Sequence, residues 1–192
     1  PGPYSAPSGS ITPVAPNNKL YAWGSNGSFQ LGINAGNNNF SSPVQIGALT
    51  TWSTMSLGGE TGMATKLDGT LWTWGNNQYG QLGQNNRVTL SSPVQVGALT
   101  NWASVSAGTQ FIFSIKTDGT LWSCGINNSG QLGQNDAVNR SSPVQVGALT
   151  NWSKVFASPT NNAESVVAIK TDGTLWTWGA NTYGQLGQSD KV

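Results

Sequence analysis

Few side chains in this sequence could perform acid–base or nucleophilic chemistry, and their spacing assigns most of them to other work. There is no histidine, the one residue whose ordinary titration lies near neutral pH. Three of the seven acids, Asp68, Asp118 and Asp172, are each followed by glycine (Gly69, Gly119, Gly173) and then Thr-Leu-Trp. Asp-Gly between two β-type runs is a hairpin signal, and a type I′ turn is expected at each. Glu60 and Glu164 stand eight residues before their turn aspartates, with Gln110 at the same place in the copy between them. They are expected to be solvated loop acids on one rim, too far apart to act as a carboxylate pair. The single Cys124 excludes an intrachain disulfide. It stands where other copies carry Trp74 and Trp178, so it reads as core rather than as a nucleophile. Gly80-Gln81-Leu82-Gly83 lacks the Gly-Lys-Ser/Thr of a phosphate loop, and no Cys/His set for zinc exists. No catalytic residue, cofactor site or metal site is expected.

These residues belong to a repeat. Ser41-Ser42-Pro43-Val44-Gln45 returns at Ser91 and Ser141, a step of 50 residues, and Trp52, Trp102 and Trp152 keep it. A period of that size points to propellers, solenoids or arrays. Within one period, Trp102–Ala107 and Phe111–Lys116 are short β-branched and aromatic runs, and Thr120–Cys124 follows the Asp-Gly turn. A fourth strand is expected from Pro143 to Val146, with Pro143 opening an edge strand where no ladder donor is needed. The predicted fold is all-β: four-stranded antiparallel blades of about 50 residues, making a partial β-propeller ring of about 3.5 blades. The expected units are a half blade at 20–46, blades at 52–96 and 102–146, and an incomplete blade at 152–187. The positions that specify them are Asp68, Gly69, Trp74, Gly75 and Gly83, then Asp118, Gly119, Gly125 and Gly133, then Asp172, Gly173, Trp178, Gly179 and Gly187. Trp72, Trp74, Trp176 and Trp178 are expected in the core. Residues 1–18 hold five of the nine prolines and read as a linker or as an arm docking through Tyr4, Ile11 and Val14.

The repeat Asp-Gly-Thr-Leu-Trp-Thr-Trp-Gly, with Asn77, Gly80-Gln81-Leu82-Gly83 and Pro93-Val94 after it, resembles the regulator of chromosome condensation repeat family. The resemblance covers about residues 19–190, and it implies a β-propeller, usually of seven blades. Thirteen strands are too few for that ring, so the chain is expected to be a segment of a longer protein, with completion by other chains the alternative. The family often carries a His-Ser pair before the Asp-Gly turn. Here Thr61-Gly62, Phe111-Ile112 and Ser165-Val166 stand there.

Charged residues make up 8% of the chain, against about 25% in ordinary globular proteins, and the net charge is +1. No electrostatic footprint for nucleic acid is visible, and no apolar run reaches membrane-spanning length. Binding is therefore sought in loops on a rigid frame. One loop class follows Gln-Leu-Gly and differs between copies, offering Asn85, Asn86, Arg87, Asn135, Asp136 and Arg140. The other joins the first two strands of a blade and is four residues longer in the last copy, offering Pro159, Asn161 and Asn162. Protein partners are expected, either assembly subunits or further blades, with a surface glycan as another possibility. Low charge and amide-rich composition fit a structural or binding module exposed on a surface or a virion, such as a phage tail, fibre or decoration component. The resemblance implies two alternatives: a secreted inhibitor or lectin-like binder, and a guanine nucleotide exchange scaffold. The second depends in the family on an inserted β-wedge, and no insertion here exceeds four residues.

Overall fold

Short runs of β-branched and aromatic residues punctuated by glycine leave no room for a helix, and none occurs among the described residues. The structure is a computed structural model that describes residues 17–48, 50–159 and 164–189. The proline-rich stretch to residue 16, and Asn161 and Asn162, lie outside them.

Thirteen strands form four antiparallel sheets in chain order. β1 (Tyr21–Gly24) and β2 (Phe40–Gln45) make a pair. β3 (Trp52–Leu57), β4 (Thr61–Lys66), β5 (Leu71–Gly75) and β6 (Leu90–Gln95) make a four-stranded sheet. β7 (Trp102–Ala107), β8 (Phe111–Lys116), β9 (Leu121–Gly125) and β10 (Arg140–Gln145) make its twin, and β11 (Trp152–Ala157), β12 (Ser165–Lys170) and β13 (Leu175–Gly179) make the last. β3, β7 and β11 pack beside one another, as the inner strands of consecutive blades do. The fold is the partial β-propeller expected.

Two local expectations are corrected. The Asp-Gly hairpin is not a two-residue type I′ turn, because Gly69, at φ 77°, is the one turn residue with positive φ. The Gly69 amide donates to the Lys66 carbonyl (2.9 Å) and the Lys66 amide to the Thr70 carbonyl (3.0 Å). That is a three-residue loop closed by a glycine bulge. The repeat at Lys116–Thr120 is the same. The last strand of the second four-stranded sheet starts at Arg140, which pairs with Gly125, three residues before the proline. Pro143 lies inside β10, in a register shift between Arg140 and Val144, and a bulge tolerates proline as an edge start does.

Each core cluster fills the space between two consecutive sheets. Leu20, Ile46, Trp52 and Trp74 join the first pair to the second sheet. Met63, Leu71, Trp102 and Ile112 lie between the second and third sheets, with Cys124. Phe111, Phe113, Leu132 and Trp152 lie between the third and the last. The sheets are also bonded to one another: Trp74 Nε1 donates to the Gln30 carbonyl (2.8 Å) and Trp178 Nε1 to the Gln131 carbonyl (3.0 Å). Cys124 Sγ faces the Gln81 carbonyl at the same place (3.6 Å). The cross-strand neighbour differs between the copies, and Val166 stands opposite Trp178. Gly62 opposes Trp74, so close that a Cβ would fall 2.2 Å from the ring, whereas Ile112 opposes the small Cys124.

Trp72 and Trp122 are half-buried and Trp176 is 48% exposed, so this position is not the core site expected. Its indole stands edge-on to the buried Trp52, Trp102 or Trp152, at 6.1, 6.0 and 6.2 Å between centroids. A lysine ammonium covers its face: Lys66 Nζ lies 3.4 Å from the Trp72 centroid, Lys116 Nζ 3.7 Å from Trp122 and Lys170 Nζ 3.9 Å from Trp176. An aliphatic stem beside indole with a cation on the ring face explains why these lysines are buried without a carboxylate in contact.

Candidate functional site

A loop with few apolar residues holds its shape only if something satisfies its backbone, and here buried asparagines do so. Asn26, Asn77 and Asn127, two residues past the glycine of the Trp-Gly or Cys-Gly step, are at most 1% exposed. Asn77 Oδ1 accepts the Leu82 amide (3.0 Å), while its Nδ2 donates to the carbonyls of Asn86 (3.2 Å) and Val88 (3.0 Å). Asn127 does the same, taking the Leu132 amide (2.8 Å) and donating to the Asp136 carbonyl (2.8 Å). One buried amide thus fixes both the Gly-Gln-Leu-Gly turn and the variable loop after it. Gln81 and Gln131 are buried too, and their Oε1 atoms accept the Tyr79 and Ser129 amides. Sequence reasoning recorded this asparagine in the repeat and gave it no role. Its recurrence at one offset was the signal.

The variable loop itself faces solvent. Asn85, Asn86 and Arg87 are exposed, as are Asn135 and Asp136, and Arg140 is half-buried. Asn85 takes positive φ (55°) and its amide donates to the Ser141 carbonyl of the next sheet (2.7 Å). In the next copy Asp136 pairs with Arg140 and accepts the Val138 amide (3.0 Å). The Val138 amide and then Arg140 hold the Asp136 carboxyl below the usual carboxylate range. The two loops thus share a frame and present different chemistry, an amide and a cation in one and an internal ion pair in the other. Pro159 lies apart from them, in the other loop class, where its exposed ring leaves its carbonyl to accept Thr109 Oγ1 (2.8 Å).

The acids are structural. Asp68 Oδ1 accepts both the Thr70 hydroxyl (2.6 Å) and amide (3.0 Å), and Trp72 Nε1 donates to the same hydroxyl (2.8 Å). The Thr70 hydroxyl, then its amide, hold the Asp68 carboxyl low, and Thr120 and Thr174 do so for Asp118 and Asp172. Glu60 and Glu164 are half-buried and bonded rather than freely solvated. Glu164 Oε2 accepts Ser129 Oγ (2.9 Å) and Gln131 Nε2 (3.0 Å), and Gln110 Nε2 reaches Glu60 Oε2 (3.4 Å). Burial pushes the Cys124 thiol far up, and pushes Lys66 and Lys116 down. Among the described residues no three His, Cys, Asp or Glu side chains gather to hold a metal. No helix there is long and apolar enough to cross a membrane.

The family profile described as the regulator of chromosome condensation (RCC1) repeat matches residues 17–65, 68–115, 118–162 and 172–192. The chain belongs to the regulator of chromosome condensation repeat family. A second profile of the same description matches residues 52–81 and 102–131. Among solved structures the chain is similar to human WBSCR16, at 22% identity and a TM-score of 0.78, over 91% of this chain and 46% of that one. It is similar to Prp20p of Saccharomyces cerevisiae, whose structure was solved with its binding properties to Gsp1p and histones, at 21% identity and TM-score 0.77, over 90% and 43%. It is also similar to yeast RCC1 (Prp20) bound by Kap60, at 22% identity and TM-score 0.70, over 85% and 40%. The chain thus spans less than half the length of each. At these identities the likeness is one of fold. No curated protein matches the chain in sequence.

Proposed function

We propose that this member of the RCC1 repeat family is a non-enzymatic, protein-binding scaffold, and that its place is in an assembly on a virion or cell surface. The observation that carries the reading is the contrast between frame and loops. Asparagines, turn aspartates and lysines repeat with the same bonds in consecutive blades, while Gln84–Leu90 and Gln134–Arg140 show different side chains on the same scaffold. Loops on a rigid ring are the usual place for recognition. The same loops would serve a secreted inhibitor or a lectin-like binder. Surface exposure is supported by composition, with 8% charged residues and an amide-rich polar share.

Labelled antibody against this chain, imaged by electron microscopy on particles and cells of its source, tests the assignment. The expected result is label on particles or at the surface, and a uniformly soluble cytosolic pool contradicts it. The likeness to Prp20p, whose partners include Gsp1p, favours one further reading, a nucleotide exchange scaffold. Acceleration of nucleotide release from a small GTPase by the purified chain would move the assignment there.

A further inference from the structure

A groove of about 320 Å³ opens between the second and third sheets, walled by Val96, Leu99, Trp102, Trp122 and Pro143, with Gln84 at its lip. We propose that this groove docks a branched aliphatic side chain from a protein partner. This rests on the protein-binding reading above and names the place where contact is made. The first blade junction identifies the occupant. Ile33 holds there the repeat position of Gln84, and like Trp72 it packs against the buried cluster that contains Trp52. The two tryptophan pairs have the same geometry, with centroids 6.1 and 6.0 Å apart and rings at 83° and 81°. At the second junction Gln84 turns away, its Nε2 donating to the carbonyls of Gln95 (3.2 Å) and Val94 (3.3 Å). The space that the chain's own isoleucine takes at one junction is left to a visitor at the next.

The lining also selects against other visitors. It holds no charged side chain, and its Trp122 face is already covered by Lys116 Nζ at 3.7 Å. Its walls are mainly carbon, which fits an aliphatic group better than a sugar with a hydroxyl on nearly every carbon. Asn85, Asn86 and Arg87 stand exposed on the adjoining loop, where they would read the residues flanking the anchor.

The test is a titration of the full chain, with tryptophans ¹⁵N-labelled, by the pentapeptide Leu-Gly-Ile-Asn-Ala and by the same peptide carrying Gln for Ile. The expected result is a saturable shift of the Trp102 and Trp122 indole resonances, with affinity about tenfold or more weaker for the Gln peptide. Gln84→Ile fills the groove from within and abolishes the shift. Leu99→Asn, at a side chain 49% exposed, leaves the fold intact and weakens binding several-fold. The proposal is overturned if the Ile peptide gives no saturable shift, or if both peptides bind alike. It is equally overturned if methyl glucoside saturates these resonances and the peptide does not, which would make the groove a glycan site. Label on surface assemblies with silent peptides would sink the groove alone. A clear peptide shift in a chain that stays cytosolic would sink the surface assignment and leave the groove standing.

Discussion

The exchange of Trp74 for Cys124 between equivalent positions sets a quantitative trap. If the Trp74 ring, as it lies here, leaves Gly62 no room for a side chain, removing the ring must admit one; Val166 opposite Trp178 shows that a tryptophan at this position does not by itself demand glycine. Trp74→Cys removes a fully buried indole and its 2.8 Å bond to the Gln30 carbonyl, for a loss of about 3–4 kcal/mol. Gly62→Ile alone drives a side chain into a ring that a Cβ would already meet at 2.2 Å, for an overpacking cost of about 3 kcal/mol. The double variant restores the pairing seen at Ile112 and Cys124, so it should cost about 3–4 kcal/mol rather than about 6–7, a coupling of about 3 kcal/mol. Urea unfolding followed by tryptophan fluorescence and by circular dichroism measures all four corners of the cycle. Losses that add to within about 0.5 kcal/mol would refute the size-matching account, since uncoupled sites behave that way.

Three further outcomes are expected. Gly119→Ala should lose about 3 kcal/mol in a denaturant melt, since it strains φ (76°) and sets a Cβ 2.1 Å from the Thr150 carbonyl oxygen. Gly173→Ala, with φ 83° and open space around it, should lose only about 1 kcal/mol, and equal losses would contradict the contact. Lys116→Met should change the unfolding free energy by less than about 1 kcal/mol, because ring attraction and desolvation of the ammonium oppose each other; a loss above about 2 kcal/mol would mean the cation dominates. The low carboxyl pKa values of Asp68, Asp118 and Asp172 make the folded state bind fewer protons than the unfolded chain, so their stabilisation is complete above about pH 5 and fades as pH falls through the unfolded and then the folded values. Replacing Thr70, Thr120 and Thr174 by valine should flatten that acid limb, and an unchanged limb in an acid titration would show that the hydroxyls do not set it.

The fold was legible because the repeat states its local rules several times over. Trp102–Ala107 and Phe111–Lys116 are strands at the boundaries that their aromatic and β-branched runs give. The Asp-Gly turn was recognisable as a hairpin, but its class was not, since loop length depends on which residues pair beyond it, and Lys116 with Thr120 decides that. The role of Trp72 and Trp122 was hidden for a similar reason. Their composition says core, whereas the lysine that covers each ring sits on a neighbouring strand and is found only once register is known. The anchoring role of Asn77 and Asn127 was not legible, because burial of an amide depends on what folds over it. The groove beside Gln84 was invisible in sequence, since it is made by a side chain turning away.

The central claim is that the repeated residues specify the frame and that the unlike residues between them carry recognition. Replacing residues 84–90 by the residues found at 134–140 tests it directly, because Asn77 and Asn127 hold both loops through the same bonds. The account predicts a melting temperature within about 3 °C of the parent, a stability change of less than about 1 kcal/mol. It also predicts an affinity for the chain's isolated protein partner weakened tenfold or more. An unchanged affinity in a well-folded chimaera would contradict it.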